Sequence, residues 1–370
     1  MRNNIDECLP AQVEFNTREM VLDYVGEGQE LIPRLTTIYD IAKKTGYSPT
    51  TVSKVFNNYP DVREKTRVKI LETAKEMGYL PNANARSLTT KRSWTIGILF
   101  VEATGAGIRH PYFGAVIESF KKISVSKGYD LMFISKDVGG RRSSYVEHCK
   151  IRGVDGVVVI LSSNDDPDFQ ELLDSGIPCV ILDSSPEHVH SVYSDNIGGS
   201  MLAIRYLHSL GHRSIAHISG GLNTFAGEQR QHGYVQALRE LYLNLREEYI
   251  TGSDFYSTES GYEAMKRLLA LEDRPTAVYA AGDLLALGAI RAVLDHGLSV
   301  PGDVSVIGFD DIEMSRYITP ALTTVRQDTE QLGKVAAEIL LSSIEERDTA
   351  VKSVMLPVEL MIRESCRPVT

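Results

Sequence analysis

The chain has 370 residues, of which 43% are hydrophobic and 24% are charged, and its formal net charge is −10. These values predict a globular protein of two or three domains and exclude disordered and fibrous classes, and no apolar run reaches the roughly 18 residues of a membrane span. The N-terminus lacks the pattern of a secretory signal, and the four cysteines show neither metal spacing nor a disulfide framework, which favours the cytoplasm (Cys8, Cys149, Cys179 and Cys366).

The charge is distributed unevenly along the chain. Residues 1–35 carry a net charge of −4, residues 36–92 carry +6 from 11 basic and 5 acidic side chains, and residues 93–370 carry −12. A short basic block joined to a large acidic body predicts a nucleic-acid-binding head on a body with another task. The first 35 residues contain a candidate amphipathic helix around Thr17–Tyr24. A small helical appendage, a partner-binding arm and a disordered segment are the alternatives for them, and their pattern assigns them no role.

The basic block has the pattern of three short helices. Thr37 is a candidate N-cap, apolar residues follow at helical spacing, and Gly46 is a natural stop. Ser48 and Pro49 begin a second helix over 49–56, and a third is expected over 64–77. Two short helices joined by a tight turn and closed by a third predict a DNA-reading helix-turn-helix, and a plain three-helix bundle is the alternative.

Three segments of this block resemble the headpiece signature of the lactose-repressor/galactose-repressor (LacI/GalR) family, at residues 38–42, 51–57 and 78–82. The resemblance extends to near residue 363. It implies a helix-turn-helix headpiece over 36–81, a hinge helix and linker over 82–93, and a periplasmic-binding-protein-like core over 94–370. The expected N-lobe comprises about 94–193 and 325–356, and the expected C-lobe comprises about 194–324 and 357–370.

The resemblance also implies which headpiece residues contact double-stranded operator DNA. Hydroxyls and amides suit phosphate oxygens, and a lysine can donate to guanine. Lys54 stands where the family usually has arginine, and Pro49 offers only apolar contacts, so the half-site should differ from the best-known ones. Leu88 of the hinge helix is expected to enter the minor groove. The implied set is Thr37, Tyr39, Pro49, Thr50, Thr51, Ser53, Lys54, Asn57, Asn82, Ala85 and Leu88.

From Trp94 onward, apolar strands alternate with amphipathic helices, which predicts an α/β body of parallel sheets covered on both faces. The expected strands are 96–101, 131–134, 157–161, 179–183, 215–219, 277–281 and 304–308. The expected helices include 112–127, 198–210, 229–241, 284–296 and 330–344. Crossovers between the lobes are expected near 193–195, 323–326 and 356–358.

Polar residues follow several of these strands, at the end where such sheets bind ligands. Asp183, Asp283 and Asp310 each stand at a strand end. Carboxylates accept hydrogen bonds from hydroxyl pairs, and arginine donates in a fork, which suits a sugar. The alternative is that each aspartate only caps the next helix.

The family resemblance implies a ligand-clamping role for Arg230 and a hydroxyl-binding role for Asp310. It makes Phe113, Tyr193 and Phe255 candidates for aromatic walls. Gly282 stands where the family usually has asparagine, which removes one expected contact and is expected to enlarge the cleft.

Other motif matches fail on context. The three β-lactamase-like tripeptides occur in the wrong order, and Gly105-Ala106-Gly107 does not complete a dinucleotide-binding fingerprint. His188 and His190 form a close pair that we interpret as surface histidines. No cofactor, metal site or enzymatic activity is predicted.

The sequence therefore predicts a ligand-responsive DNA-binding regulator, most simply a repressor of a carbohydrate-utilisation operon. It should bind a pseudo-palindromic operator as a homodimer, with a sugar or sugar derivative as effector. One alternative is a catabolite-control-type regulator with a phosphocarrier protein or a purine as effector. Another is a solute-binding protein, against which the basic head and the missing export signal argue.

Overall fold

The structure is a computed structural model that describes residues 36–57, 59–79, 92–101, 107–161, 166–252, 256–346 and 350–369. The chain divides into two compact units, residues 1–82 and 83–370. The N-terminal segment 1–35, the hinge residues Asn82, Ala85 and Leu88, and Phe255 lie outside the described residues. No helix within the described ranges is long and apolar enough to cross a membrane.

The first unit contains the three predicted helices, α1 (Ile38–Thr45), α2 (Pro49–Phe56) and α3 (Glu64–Glu76). The Thr37 backbone N–H donates to the Asp40 carboxylate at the start of α1, and Gly46 ends the helix in the left-handed region at φ 77°. Ser48 accepts from the Thr51 N–H at the start of α2. The helix-turn-helix prediction is confirmed.

A small apolar core holds the three helices together. It consists of residues spaced so that each helix turns one face inward (Ile41, Ala42, Val52, Val55, Ile70 and Ala74). Because Val52 and Val55 are buried, the opposite face of α2 is open to a partner.

The second unit begins with a parallel sheet, in the order β13-β7-β6-β5-β1-β2. Its strands are β1 (Thr95–Phe100), β2 (Asp130–Ile134), β5 (Gly156–Leu161), β6 (Cys179–Leu182), β7 (His190–Ser194) and β13 (Ser353–Leu356). A short hairpin, β3 (Asp137–Val138) with β4 (Arg141–Arg142), follows β2. The associated helices are α4 (Pro111–Ser126), α5 (Tyr145–Arg152), α6 (Pro167–Asp174) and α11 (Thr329–Glu346).

A second sheet follows the order β14-β12-β11-β10-β8-β9. Its strands are β8 (Ile215–Ile218), β9 (Ile250–Thr251), β10 (Ala277–Ala280), β11 (Ser305–Asp310), β12 (Thr323–Gln327) and β14 (Val358–Met361). Its helices are α7 (Asn196–Ser209), α8 (Phe225–Glu240), α9 (Thr258–Leu269) and α10 (Asp283–Asp295). Parallel sheets were predicted, and they are found except for β14, which pairs antiparallel with β12.

Central strands of both sheets are buried along their length, as helices on both faces require. Every residue of β6, β8 and β10 is buried. Apolar clusters lie on each side of each sheet, which explains why β6 and β10 are continuous apolar runs and why β8 contains a single polar residue, His217.

Within the described residues, the chain passes between the two lobes at three places, from β7 to α7, from β12 to α11 and from β13 to β14. The expected start of the returning N-lobe segment at residue 325 is too early. Residues 325–327 still belong to the second sheet, because their backbone pairs with β11 and β14.

Candidate DNA-reading face and ligand cleft

The outward face of α2 carries the residues that sequence reasoning assigned to DNA. Thr50 is exposed, and Pro49, Thr51, Ser53 and Lys54 are partly exposed. Tyr39 on α1 is 68% exposed, although it is a large aromatic residue. An aromatic side chain left in solvent beside a polar helix face is suited to a contact outside the chain.

Local hydrogen bonds fix several of these side chains. The Asn57 side-chain amide donates to the Ser53 carbonyl oxygen at 3.0 Å, which closes the end of α2. The Thr37 hydroxyl donates to the Asp40 carboxylate at 2.7 Å, so its first role is to cap α1. The Lys54 ammonium donates to the Asp61 carboxylate, a partner that the sequence reasoning did not assign.

In the second unit, a cavity of about 110 Å³ lies between the two lobes, at the carboxyl ends of their strands. Four predicted ligand residues line it (Phe113, Asp183, Arg230 and Asp310). Residues that sequence reasoning missed also line it, among them His110, Tyr112, Asn223, Thr224, Phe225 and Tyr256. The position follows the general rule that open α/β sheets bind ligands beyond their carboxyl strand ends.

Arg230 is the buried cation of this cleft, with 3% of its surface exposed. Its Nε donates to the Asn196 side-chain oxygen at 2.8 Å, and one terminal nitrogen donates to the Ala281 carbonyl oxygen at 2.6 Å. That same nitrogen lies 3.4 Å from the Asp310 carboxylate. Burial opposes its charge, while Asp310 and other nearby groups favour it and raise its pKa overall.

Asp310 ends β11 and is 6% exposed. Its carboxylate accepts from the Gln327 amide at 2.7 Å as well as facing Arg230. Burial raises the pKa of Asp310, and Arg230 opposes that shift. Its backbone has φ 114°, a conformation that non-glycine residues rarely adopt and that is concentrated at functional sites.

Asp183 follows β6 on the N-lobe side of the cleft. One carboxylate oxygen accepts from the Tyr112 hydroxyl at 2.6 Å, and the other is buried without a hydrogen-bond partner among the described residues. Burial is the main reason that the pKa of this carboxyl group is raised. An unsatisfied buried acceptor in a ligand cleft indicates a bond that a ligand can complete.

Aromatic rings form the walls of the cleft. Phe113 packs edge-on against Tyr112 at 5.3 Å between ring centroids. Tyr193 does not line the cavity; its ring packs against Phe225, which does, at 5.4 Å. Tyr256, the neighbour of the predicted Phe255, supplies a further wall.

The missing side chain at Gly282 does not leave the cleft enlarged. A Cβ at Gly282 would lie 2.9 Å from the Tyr256 ring, and a Cβ at Gly220 would overlap that ring. The two glycines therefore make room for Tyr256, and the tyrosine ring occupies the space that sequence reasoning assigned to a larger cavity.

The structure places Asp283 away from the cavity, although it was expected to contact ligand. It is fully buried, and its carboxylate accepts from the Thr324 hydroxyl, the Ser315 hydroxyl and the Ile312 N–H. Burial raises its pKa. The bonds from Ile312 and Ser315 hold the segment after β11, and the bond from Thr324 joins Asp283 to β12, so Asp283 supports the cleft from behind.

Three arginines surround the Asp311 carboxylate beside the crossover strands. Its carboxylate is 1% exposed and accepts from Arg326 at 2.8 Å, Arg363 at 2.5 Å and Arg316 at 3.1 Å. The arginines hold the pKa of Asp311 below its ordinary value, although burial alone would raise it.

The interpretation of the histidine pair is half wrong. His188 is exposed, but His190 is 9% exposed, and its Nδ1 accepts from the Lys352 N–H at 3.0 Å. His190 begins β7, so it belongs to a sheet and not to a surface loop. No group of three or more metal-ligating side chains occurs in the part of the chain that the structure describes.

Two family descriptions match this chain. Residues 37–82 match "Bacterial regulatory proteins, lacI family", and residues 204–366 match "Periplasmic binding protein-like domain". The first match covers the helix-turn-helix unit, and the second covers most of the second sheet together with the crossover strands.

Curated relatives match nearly the whole chain. The probable HTH-type transcriptional repressor ExuR of Bacillus subtilis is 38% identical over 339 residues, which are 91% of this chain and 100% of that protein. The HTH-type transcriptional repressor PurR of Erwinia tasmaniensis is 38% identical over 336 residues, which are 90% of this chain and 97% of the relative.

Solved structures agree with the fold. The lac repressor dimer bound to operator and the anti-inducer ONPF has a TM-score of 0.78 at 29% identity, covering 90% of this chain and 100% of that chain. A complex of the transcriptional regulator CelR with cellobiose has a TM-score of 0.66 at 31% identity, covering 89% and 99%.

Proposed function

Because this chain belongs to the lacI family of bacterial regulatory proteins and is a ligand-responsive transcriptional repressor, we propose that its effector is a small sugar or sugar derivative held between the lobes. The genes it controls are then those of carbohydrate use. It acts by binding rather than by catalysis, in the cytoplasm, where a bacterial repressor meets the chromosome.

The observation that carries this proposal is the unsatisfied carboxylate oxygen of Asp183 in the cleft. Asp183 and Asp310 offer acceptors from opposite lobes, and Arg230 offers donors between them. A ring with several hydroxyl groups can donate to both carboxylates at once. The aromatic walls suit the C–H faces of such a ring. CelR, a structural neighbour, is a precedent because it was solved with cellobiose.

A purine is the second candidate, and one observation favours it. Phe113 and Phe225 line the same cavity, and aromatic rings stack well on a flat heterocycle. The carboxylates favour a polyol, since a purine presents few donors to satisfy both. We therefore rank the sugar first.

The repressor is proposed to bind its operator as a dimer, with α2 of each copy in the major groove. Base contacts are assigned to Pro49, Thr50 and Lys54, and phosphate contacts to Tyr39, Thr51, Ser53 and Asn57, with Thr37 capping α1 beside them. Asn82, Ala85 and Leu88 are assigned to the hinge contacts. A ligand that touches both lobes favours one lobe arrangement and so shifts operator affinity, typically by about 1–3 kcal/mol.

The test is a thermal-shift screen of the full chain against neutral sugars, sugar acids, sugar phosphates and purines. A stabilising sugar is then added to a gel-shift assay on DNA upstream of the protein's own gene. We expect a shift that weakens at higher salt and changes when the sugar is present. Stabilisation by purines alone would replace the sugar with the second candidate.

A matched pair of variants ties the effect to the cleft. Asp183→Asn should reduce the thermal shift at a given sugar concentration, and Glu187→Gln, an exposed acid in the same lobe, should preserve it. If Asp183→Asn responds as the unmodified protein does, the ligand binds elsewhere.

A further inference from the structure

We propose that Lys54 and Asp61 act as one donor–acceptor pair that reads a G·C base pair in the major groove. The inference rests on the proposed placement of α2 in that groove. It adds Asp61, an acidic residue outside the recognition helix, to the residues that determine operator specificity.

Lys54 and Asp61 form an ion pair that is accessible to solvent. The Lys54 ammonium lies 2.5 Å from a carboxylate oxygen of Asp61, and the two side chains remain 41% and 54% exposed. Lys54 lies on the face of α2 opposite the buried Val52 and Val55. Asp61 therefore lies on the same outward face as the residues assigned to DNA.

The loop that carries Asp61 is fixed on both sides. The Tyr59 N–H donates to the Lys54 carbonyl oxygen at 3.0 Å, and Arg67 on α3 donates to the Tyr59 carbonyl oxygen at 2.7 Å. Val62 packs against the apolar core of the three helices. Because its neighbours are held, the Asp61 carboxylate is presented at a defined place, as a specific contact requires.

The pattern of donor beside acceptor matches one base pair better than the others. A G·C pair shows two guanine acceptors, N7 and O6, next to the cytosine N4 donor. The ammonium can donate to both guanine atoms while the carboxylate accepts from cytosine. An A·T pair separates its two acceptors by a donor and adds a methyl group, so the same pair of side chains would lose a bond there.

A carboxylate near DNA also has a disadvantage, since phosphates repel it. Lys54 compensates this charge, and the pair as a whole is neutral. Asp61 should therefore lower the affinity for DNA of arbitrary sequence and raise the discrimination between base pairs at one position of the half-site.

The experiment is selection from a randomised duplex library with the full-length chain, followed by affinity measurements on the enriched sequence and its single-base variants. Asp61→Asn removes the acceptor charge, and Glu72→Gln removes a charge from an exposed position on α3 as the matched control. We expect a G·C preference at one position of each half-site, which Asp61→Asn weakens roughly 5- to 100-fold. Binding of Asp61→Asn to arbitrary DNA should rise.

Three outcomes would overturn the pairing. Asp61→Asn could keep the preferences of the unmodified chain at every position, or it could behave like Glu72→Gln throughout. The position lost in Asp61→Asn could also prove to be A·T. If the unmodified chain enriches no sequence at all, the placement of α2 in the major groove fails instead, and the two failures are distinct.

Discussion

Asp310 and Asp311 are adjacent in the chain, yet their carboxylates bind different arginines, one at Asp310 and three at Asp311. Asp310 faces Arg230 inside the cleft, while Asp311 accepts from arginines beside the crossover strands. Both residues have a positive φ, 114° and 56°. Consecutive strained residues persist only where the surroundings determine their conformation. Here the contacts of Asp310 with Arg230 and Gln327 and the ion pairs of Asp311 do so.

Asp311→Asn should therefore destabilise the second unit while leaving its backbone in place, because asparagine tolerates a left-handed conformation. Removal of the charge leaves three arginines around a neutral group. Since Arg316 and Arg326 are partly exposed, we expect the free energy of unfolding to fall by about 2 kcal/mol, which is less than for a fully buried ion pair. Denaturant unfolding of the full chain measures it.

The control for that variant is Glu263→Gln, which breaks only an exposed pair with Lys266 one turn away. Its unfolding free energy should change by less than about 0.5 kcal/mol. Equal losses in the two variants would mean that the arginine cluster around Asp311 does not hold the turn.

Asp183→Asn should weaken ligand binding without lowering the stability of the ligand-free protein. The variant removes a buried charge that burial disfavours, so the ligand-free protein should melt at the same temperature or higher. Binding of the sugar found in the screen should weaken at least tenfold, because an acceptor is lost. Melting curves with and without the sugar test both expectations, and a large fall in ligand-free stability would contradict the first.

Gly220→Ala should push the Tyr256 ring out of its place in the cleft wall. We expect a loss of roughly 1–3 kcal/mol from this overpacking, together with weaker sugar binding. The same change made in a Tyr256→Ala background should be nearly neutral, because the ring is then absent. If both backgrounds lose the same stability, the clash lies with another group.

His217 makes the stability of the second unit depend on pH. Its ring stacks between Tyr234 and Tyr279 at 4.9 Å from each, and burial lowers its pKa to about 4. The unfolded chain has a histidine pKa near 6.5, so it binds the proton first as the pH falls. The stability that neutral His217 provides is complete above about pH 6.5 and is lost toward pH 4.

The measurement compares the unmodified chain with His217→Phe at pH 7 and pH 5. Buried carboxyl groups with raised pKa values act in the opposite direction in both proteins, so the difference between the two isolates the histidine. We expect the unmodified chain to lose roughly 2 kcal/mol more than the variant. Parallel pH profiles would refute the assignment.

Periodic and capping patterns predicted much of the architecture. The three helices of the first unit and seven of the twelve strands of the two large sheets follow from local spacing, whereas β7, β9, β12, β13 and β14 were not among the expected strands. The edge strand β14 did not follow, because its four residues, three partly exposed and one exposed, form a strand only by pairing with β12. An antiparallel edge depends on a distant partner and leaves no local signal.

Only some of the cleft residues could be predicted from the sequence, for a similar reason. The roles of Arg230 and Asp310 in the cleft were predicted from their positions in the sequence. The places of Asp283 and Tyr256 depend on side-chain orientation, which the sequence does not show. Asp283 begins α10 and is turned toward the hydroxyls of Thr324 and Ser315, a contact between segments far apart in the chain. The position of Tyr256 follows only from the fold, in which Gly220 and Gly282 face the same tyrosine ring.

The last strands of the two sheets, β13 and β14, lie at Ser353–Leu356 and Val358–Met361, after every other strand has been made. During synthesis the ribosome must therefore release nearly the whole chain before either lobe can close, while the helix-turn-helix can fold as soon as it emerges. A nascent chain thus possesses its DNA-reading element before it possesses a sensor. Any ribosome stalled short of residue 353 would display the former without the latter.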